Sequence, residues 1–296
     1  MNYLLTCADG LSWPDLAPFV RSARAFCPDA RIVLFTRRAA AALPRLRSEG
    51  VDLVPLSCAF PEGKGRTEFV RRVLWRAVGL LYRRLRYVDF RPRLLLAAGE
   101  LLLRRNQARY FAYRAYLEDC TCEGDRFLFC DSRDLVFQSD PFAFLQEPGA
   151  VLTQERADVR LADNTYNATW YRQTYGRGAL ERDGDAAVLC AGVLGGDRAG
   201  SIALLDALIA ESLSRPLHYA AEQAILNHLW SAGKLQARIL PNRGSLCWHL
   251  YGVDGEEIVV TPDGELRDRS GYLYPIVHMY DRFASATEAV ARRWQP

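Results

Sequence analysis

Lysine is almost absent from this chain of 296 residues. Lys64 and Lys234 are the only two, so nearly all of the basic charge is arginine, a bias that also fits a high-GC, bacterial coding sequence. No apolar run is long enough to span a bilayer. The opening MNYLLTCADG has no basic n-region and is too short for a signal peptide, so a cytoplasmic protein is expected. No GxGxxG follows the first strand-like run, which excludes the dinucleotide fingerprint. The eight cysteines are scattered and lack the doubled CxxC spacing of a zinc site, so reduced thiols are the simplest reading. Cys120-Thr-Cys122 is a lone CxC and reads as incidental rather than as a metal or redox feature. Internal repeats and low-complexity linkers are missing as well.

Half of the residues are hydrophobic, enough for one large α/β domain, and the net charge of +3 points to no particular partner. The distribution of charge says more. Between Arg66 and Arg114 thirteen arginines stand against Glu68, Asp89 and Glu100, a local balance of +10 that leaves −7 for the rest. The stretch has a helical period. Phe69, Val73, Arg76, Leu80 and Arg84 alternate apolar and basic character until Asp89-Phe90-Arg91 and Pro92 break the run. Three readings stay open for it. They are a solvated face, a basic amphipathic surface peripheral to anionic lipid at the inner face of the membrane, and nucleic-acid binding, for which no recognised module is present.

Residues 3–7, 31–36 and 51–56 read as strands. A helix between the first two starts near Ser12 or Asp15, with Pro14 in its first turn and the face Leu16, Phe19, Val20 and Ala23. A short alanine-rich helix separates the second and third strands. This alternation opens a parallel, doubly wound sheet. Farther on, residues 106–119 read as a helix, 127–130, 150–153 and 188–196 as strands, and 201–214 and 220–230 as helices. Strand-like segments recur at 238–240, 257–260 and 275–278. The expected fold is a single α/β domain with a Rossmann-like, mostly parallel central sheet flanked by helices and a helical arginine-rich insert at about 62–118.

The chemistry concentrates in FLFCDSRDLVFQSDPF, residues 127–142. An apolar run ends in Asp131-Ser132-Arg133-Asp134. Ligands of open α/β sheets bind at the carboxyl ends of strands, and two carboxylates there can hold a divalent cation that neutralises a diphosphate. In an extended segment Asp131 and Arg133 share a face and Asp134 does not. Either the chain bends to bring Asp134 round, or Arg133 binds the diphosphate bidentately.

The order of these pieces resembles a glycosyltransferase of the GT-A type, in the nucleotide-diphospho-sugar transferase superfamily. The likeness is closest to bacterial and plant members with a D-x-R-D-x-x-F-Q-x-D-P-F signature, which here runs from Asp131 to Phe142. Cys190-Ala191-Gly192-Val193-Leu194-Gly195-Gly196 is similar to the small-residue strand that these enzymes place beside the donor sugar. Glu222-Gln223-Ala224-Ile225-Leu226-Asn227 is similar to their D-Q-x-x-x-N helix start, with Glu for Asp. Val277-His278-Met279-Tyr280-Asp281-Arg282 is similar to their late H-Q-Y-D-R, with Met for Gln. The likeness covers most of the chain and is weakest between Gly63 and Arg105.

The resemblance implies a nucleotide-binding first half and a second half for donor sugar and acceptor. The donor is a UDP- or GDP-sugar. The acceptor is a glycan, a glycolipid or another hydroxyl compound. Asp131, Asp134 and His278 are the expected ligands of Mn²⁺ or Mg²⁺. Thr6, Ala8, Asp9, Ser132 and Arg133 are expected on the nucleotide, Arg109 on the diphosphate, and Gly192 and Gln223 beside the donor sugar. Glu222 is expected to act on the acceptor hydroxyl as base or orienter, with Glu155 as a second catalytic carboxylate. Plainer alternatives stand beside each of these. The two aspartates also suit a solvated strand end, His278 a core histidine, Arg109 a solvated arginine, and Glu222 a helix start favoured by the macrodipole. Asn167, Trp170 and Tyr175 suit a sugar-contact loop or a buried aromatic cluster. The rival functions are a sugar nucleotidyltransferase, which wants a glycine-rich basic loop where this chain has CADGLSW, and a non-catalytic carbohydrate- or polyanion-binding protein.

Overall fold

The computed structural model describes residues 1–36, 43–57, 66–85, 92–120, 124–215, 218 and 220–294. The expectations placed on Cys58, Lys64, Asp89-Phe90-Arg91, Cys122 and the alanine-rich stretch before Leu43 lie outside the described residues.

The chain opens with the alternation read from its sequence: β1 (Asn2–Cys7), α1 (Trp13–Phe26), β2 (Arg31–Thr36), α2 (Leu43–Ser48) and β3 (Asp52–Pro55). Asp15 reaches back to the Ser12 backbone N–H at 2.8 Å and so fixes the start of α1. Three helices follow, α3 (Arg66–Leu85), α4 (Pro92–Leu102) and α5 (Arg105–Asp119). Next come β4 (Arg126–Cys130), β5 (Leu135–Phe137), β6 (Ala150–Gln154), α6 (Thr165–Tyr175), α7 (Arg177–Asp183) and β7 (Leu189–Asp197). The last third holds α8 (Arg198–Ser212), α9 (Ala221–Ser231), β8 (Ala237–Leu240), β9 (Cys247–His249), β10 (Val259–Val260), β11 (Leu266–Arg267), β12 (Ile276–His278) and α10 (Ala284–Trp294).

Among the described residues seven strands form the central sheet in the order β3-β2-β1-β4-β7-β6-β8, and of these β7 alone runs against the others. Successive side chains alternate between its faces. Leu4, Ile32, Leu34 and Leu128 pack with Leu16, Phe19 and Val20 of α1. Leu5, Val33, Phe127 and Phe129 pack on the other side with Tyr113 of α5, Leu204 of α8 and Ile225 of α9. Helices cover both faces, which is why the strands read as continuous apolar runs. The fold is therefore α/β, with a mostly parallel sheet flanked by helices.

A smaller sheet, β5-β12-β9, stands beside the central one. Its strands have three residues each, too few to show a period in the sequence. Two readings need correction. Asn167, Trp170 and Tyr175, read as a sugar-contact loop or a buried aromatic cluster, lie on a helix, which Asn164 caps by accepting the Asn167 N–H at 3.1 Å. Of the expected strand at 257–260 only Val259–Val260 is extended, since Gly255–Glu257 forms a 3₁₀ turn. The described cysteines are all free thiols. No helix among the described residues is long and apolar enough to cross a membrane.

Candidate functional site

Several strands of the central sheet end around a cavity of about 630 Å³, a size that holds a small-molecule ligand. Asp131, Arg133 and Asp134 line it from the turn after β4, and Glu155 lines it from the residue after β6. Gly192 comes from β7, Arg109 from α5, Glu222 and Gln223 from α9, and His278 from the last residue of β12. Elements more than a hundred residues apart thus bring nine of the expected site residues to one edge. Thr6, Ala8, Asp9 and Ser132 do not line the cavity. Thr6 and Ser132 are buried, the Ala8 N–H donates to the Phe35 carbonyl at 3.0 Å, and the Asp9 carbonyl accepts from Arg105 at 2.8 Å. Thr6 Oγ1, Asp9 Oδ1 and Ser132 Oγ are buried atoms with no hydrogen-bond partner in the protein.

The position of Asp134 follows from backbone bonding. Asp131 N–H donates to the Gly192 carbonyl at 2.9 Å, which extends the β4–β7 ladder one residue past the strand. The chain then bends, and Leu135 pairs with His278 in the antiparallel β5–β12 register. Met279 N–H donates to the Asp134 carbonyl at 2.7 Å, with Met279 itself in the left-handed region at φ 62°. The bend brings Asp134 round to Asp131, and Arg133 stays exposed at the mouth. His278 Nε2 lies 3.7 Å from Asp131 Oδ2 and 3.5 Å from Asp134 Oδ1. Two carboxylates and one imidazole so close together form a donor set for a divalent cation of the Mn²⁺ or Mg²⁺ kind.

Room for this cluster depends on Gly192. A Cβ there would sit 2.5 Å from His278 Cε1 and 2.8 Å from Asp131 Oδ2. The β6–β7 register explains why the backbone comes so near. Leu152 pairs with Leu194, but the next residue, Thr153, pairs with Cys190, so Ala191, Gly192 and Val193 form a bulge with no strand partner on β6, and Ala191 and Gly192 line the cavity. Gln223 and Asn227 of α9 clamp the bulge. Gln223 Oε1 accepts from the Ala191 N–H at 2.8 Å, Gln223 Nε2 donates to the Leu189 carbonyl at 2.6 Å, and Asn227 Oδ1 accepts from the Leu189 N–H at 2.9 Å.

Arg109 is buried rather than solvated. It forms an ion pair with Asp131 and donates to the Ala191 carbonyl at 3.0 Å. Burial would raise the Asp131 pKa, but the Arg109 charge and the His278 imidazole outweigh it and hold the carboxyl well below the usual carboxylate range. Burial likewise opposes charge on His278, yet its pKa lies well above the ordinary value. Cys190 is adjacent, but burial raises its thiol pKa, so Asp134 and Asp131 are the charges that favour the imidazolium.

A buried chain of hydrogen bonds sets the tautomer of His278. Thr153 Oγ1 donates its one proton to the Val193 carbonyl at 2.8 Å, so it accepts from His249 Nε2 at 2.9 Å. His249 Nδ1 is then an acceptor, and His278 Nδ1 donates to it at 2.9 Å. A neutral His278 therefore turns the lone pair of Nε2 toward Asp131 and Asp134. Burial holds the His249 pKa well below its ordinary value, in keeping with an uncharged relay. Sequence reasoning missed His249 and Thr153. The available signal was that His249 is one of only four histidines and interrupts the apolar stretch from Leu246 to Tyr251. Cys190, His249 and His278 also form a second, softer and fully buried donor group that shares His278 through its Nδ1 side.

Two carboxylates face the rest of the cavity. Glu155 accepts from Gln223 Nε2 at 3.2 Å, Asn167 Nδ2 at 3.4 Å and Asn164 Nδ2 at 3.5 Å. Burial outweighs these amides and the nearby His278 and pushes its pKa up to about 7. Glu222 stands in the first turn of α9, is 6% exposed, and has its Oε2 buried without a hydrogen-bond partner. Burial raises its pKa as well. At the rim Tyr166 contacts Trp170 and Tyr251, each with ring centroids 5.8 Å apart. Tyr175 faces away and stacks on His228 at 4.0 Å. No protein-family model matches the chain, and no curated protein matches it.

Proposed function

We propose that the chain is a GT-A-type glycosyltransferase that moves a sugar from a nucleoside-diphosphate sugar to an acceptor hydroxyl. The observation that carries this reading is the meeting of Asp131 and Asp134 with His278 beside buried Arg109, at the sheet edge where open α/β folds bind ligands. A divalent cation on Asp131, Asp134 and His278 would supply positive charge to a departing diphosphate. Arg109 keeps Asp131 ionised and in place, and Gly192 leaves the space that the donor set needs. Arg133, exposed at the mouth, can reach a phosphate oxygen as a bidentate donor. Glu222, with its unpartnered oxygen, takes the acceptor hydroxyl. Glu155 titrates near neutrality and can hold or release a proton beside the sugar. The aromatic rim of Tyr166, Trp170 and Tyr251 offers flat faces to a sugar ring.

The test is release of UDP or GDP from a panel of nucleotide sugars with Mn²⁺ or Mg²⁺. Turnover that EDTA abolishes and added cation restores supports the reading. If activity survives EDTA while Arg133→Ala abolishes it, arginine does the neutralising and the metal assignment is dropped. Tight nucleotide-sugar binding without nucleotide release would identify a non-catalytic binder instead.

A further inference from the structure

Eleven large hydrophobic side chains stand exposed among the described residues, and eight of them lie on α3 and α4: Phe69, Val70, Val73, Leu74, Leu80, Leu81, Leu94 and Leu101. The other three among the described residues are Met1, Tyr166 and Val259. Such a concentration is unusual for a surface that only meets water. It is not an undocked core face, because α3 already has one. Trp75, 1% exposed, donates its indole N–H to the Ser212 carbonyl at 3.1 Å and packs with Leu95, Leu96 and Phe111. Gly79 brings the same side of the helix against α8, where a Cβ would lie 2.3 Å from the Leu213 carbonyl oxygen. The opposite side holds Phe69, Val73 and Leu80 at helical spacing, with Arg72, Arg76 and Arg84 exposed among them. The stripe of Phe69, Val73, Arg76, Leu80 and Arg84 picked out in the sequence is thus the outward face.

We infer that this outward face of α3, continued by the exposed leucines of α4, docks on an anionic lipid surface. Apolar side chains flanked by arginines on an in-plane helix match the two layers of a bilayer interface. The apolar groups enter the acyl boundary and the guanidiniums meet lipid phosphates. Charge complementarity selects lipid over a second copy of the chain, because a two-fold pairing of α3 with itself would set its exposed arginines against one another. The helix lies on the surface rather than through it, since no described helix is long and apolar enough to cross. The face is independent of the cavity and of the glycosyl-transfer reading.

Co-sedimentation of the full chain with vesicles tests the inference. Vesicles containing phosphatidylglycerol should carry the protein down at low salt, and the bound fraction should fall as salt rises. The pair Arg76→Glu with Arg84→Glu should weaken binding about tenfold or more, at roughly one kcal/mol per basic group near the surface. The pair Phe69→Ser with Leu80→Ser should weaken it comparably. Melting curves must match the parent for either result to count as support. A double variant that melts early is replaced by the single changes Arg84→Glu and Leu80→Ser, read against the same criterion. The inference is overturned by absence of binding at low salt, or by equal binding to pure phosphatidylcholine. It is overturned equally if light scattering shows a dimer that Leu80→Ser disrupts.

Discussion

Beside the cavity a buried arginine, Arg109, is answered by a carboxylate, whereas on the outward face of α3 arginines are exposed beside apolar side chains that nothing described covers. Arg109 is almost fully buried and paired with Asp131, while Arg76 and Arg84 face water next to Leu80. The contrast teaches what arginine does in this chain. Beside the sheet it is one fixed charge that sets the ionisation of one carboxylate. On the outward face of α3 it is a repeated, exposed charge, which suits an extended anionic surface better than a small ligand. A substitution at the edge of the sheet should therefore act on chemistry, and a substitution on the outward face of α3 should leave chemistry alone.

The largest effect is expected at Asp134. Asp134→Asn keeps the size of the side chain and removes one charge from the candidate donor set. Turnover of the nucleotide-sugar donor should fall about 1000-fold, the scale of losing a key electrostatic contact to a leaving group. Mn²⁺ binding followed by calorimetry should weaken in parallel, with the melting temperature nearly unchanged. A loss of less than tenfold would move the neutralising role to Arg133 or Arg109.

Glu155 comes next, through stability and pH. Its folded-state pKa of about 7 lies above the ordinary 4.5, so the folded protein binds this proton more tightly than the unfolded chain. The stability that Glu155 contributes is then fully present below pH 4.5, declines as pH rises to about 7, and is level above it. The decline amounts to at most about 3 kcal/mol. Glu155→Gln should flatten it and leave the variant the more stable protein at pH 8, as measured by urea unfolding at a series of pH values. Parallel curves for the two proteins would show that the amides of Asn164, Asn167 and Gln223 hold the carboxylate as an ordinary ionised group.

What the sequence revealed of this site depended on how local each signal was. β1, β2 and β4 were legible because helices cover both faces of the sheet and make each strand an apolar run. Asp131 and Asp134 were legible because they follow such a run directly. The bend that joins them was not, since it arises from pairing between Leu135 and His278, far apart in the chain. His278 entered through resemblance, but its tautomer rests on His249 and Thr153, which meet across three strands. No window of sequence contains that chain of contacts. α6 was misread because its buried positions Asn167, Ala168, Tyr171 and Thr174 are largely polar, so the helical period was hidden.

His249 carries the next prediction. His249→Phe fills the same space without an acceptor for His278 Nδ1. Mn²⁺ affinity should drop about 10- to 100-fold, as for other groups that orient a metal-bound imidazole. His249→Gln, which restores an acceptor, should recover most of it. Recovery separates orientation from packing, because a purely structural role would be served by Phe and not by Gln. Binding of Zn²⁺ that Cys190→Ser weakens and Asp134→Asn spares would favour the softer group of Cys190, His249 and His278 as the metal site.

The smallest expected effect sharpens the contrast from the other side. Phe69 is 69% exposed, while Trp75 on the opposite side of α3 is 1% exposed. Phe69→Ser should change unfolding free energy by no more than about 0.5 kcal/mol, the range of ordinary surface substitutions. Trp75→Ala, which empties a packed position, should cost about 3 to 5 kcal/mol. Nucleotide release by the Phe69 variant should match the parent, since the residue is not among those that line the cavity. If Phe69→Ser instead destabilised the protein as Trp75→Ala does, its ring would belong to the core, and the apolar face of α3 would not be a surface at all.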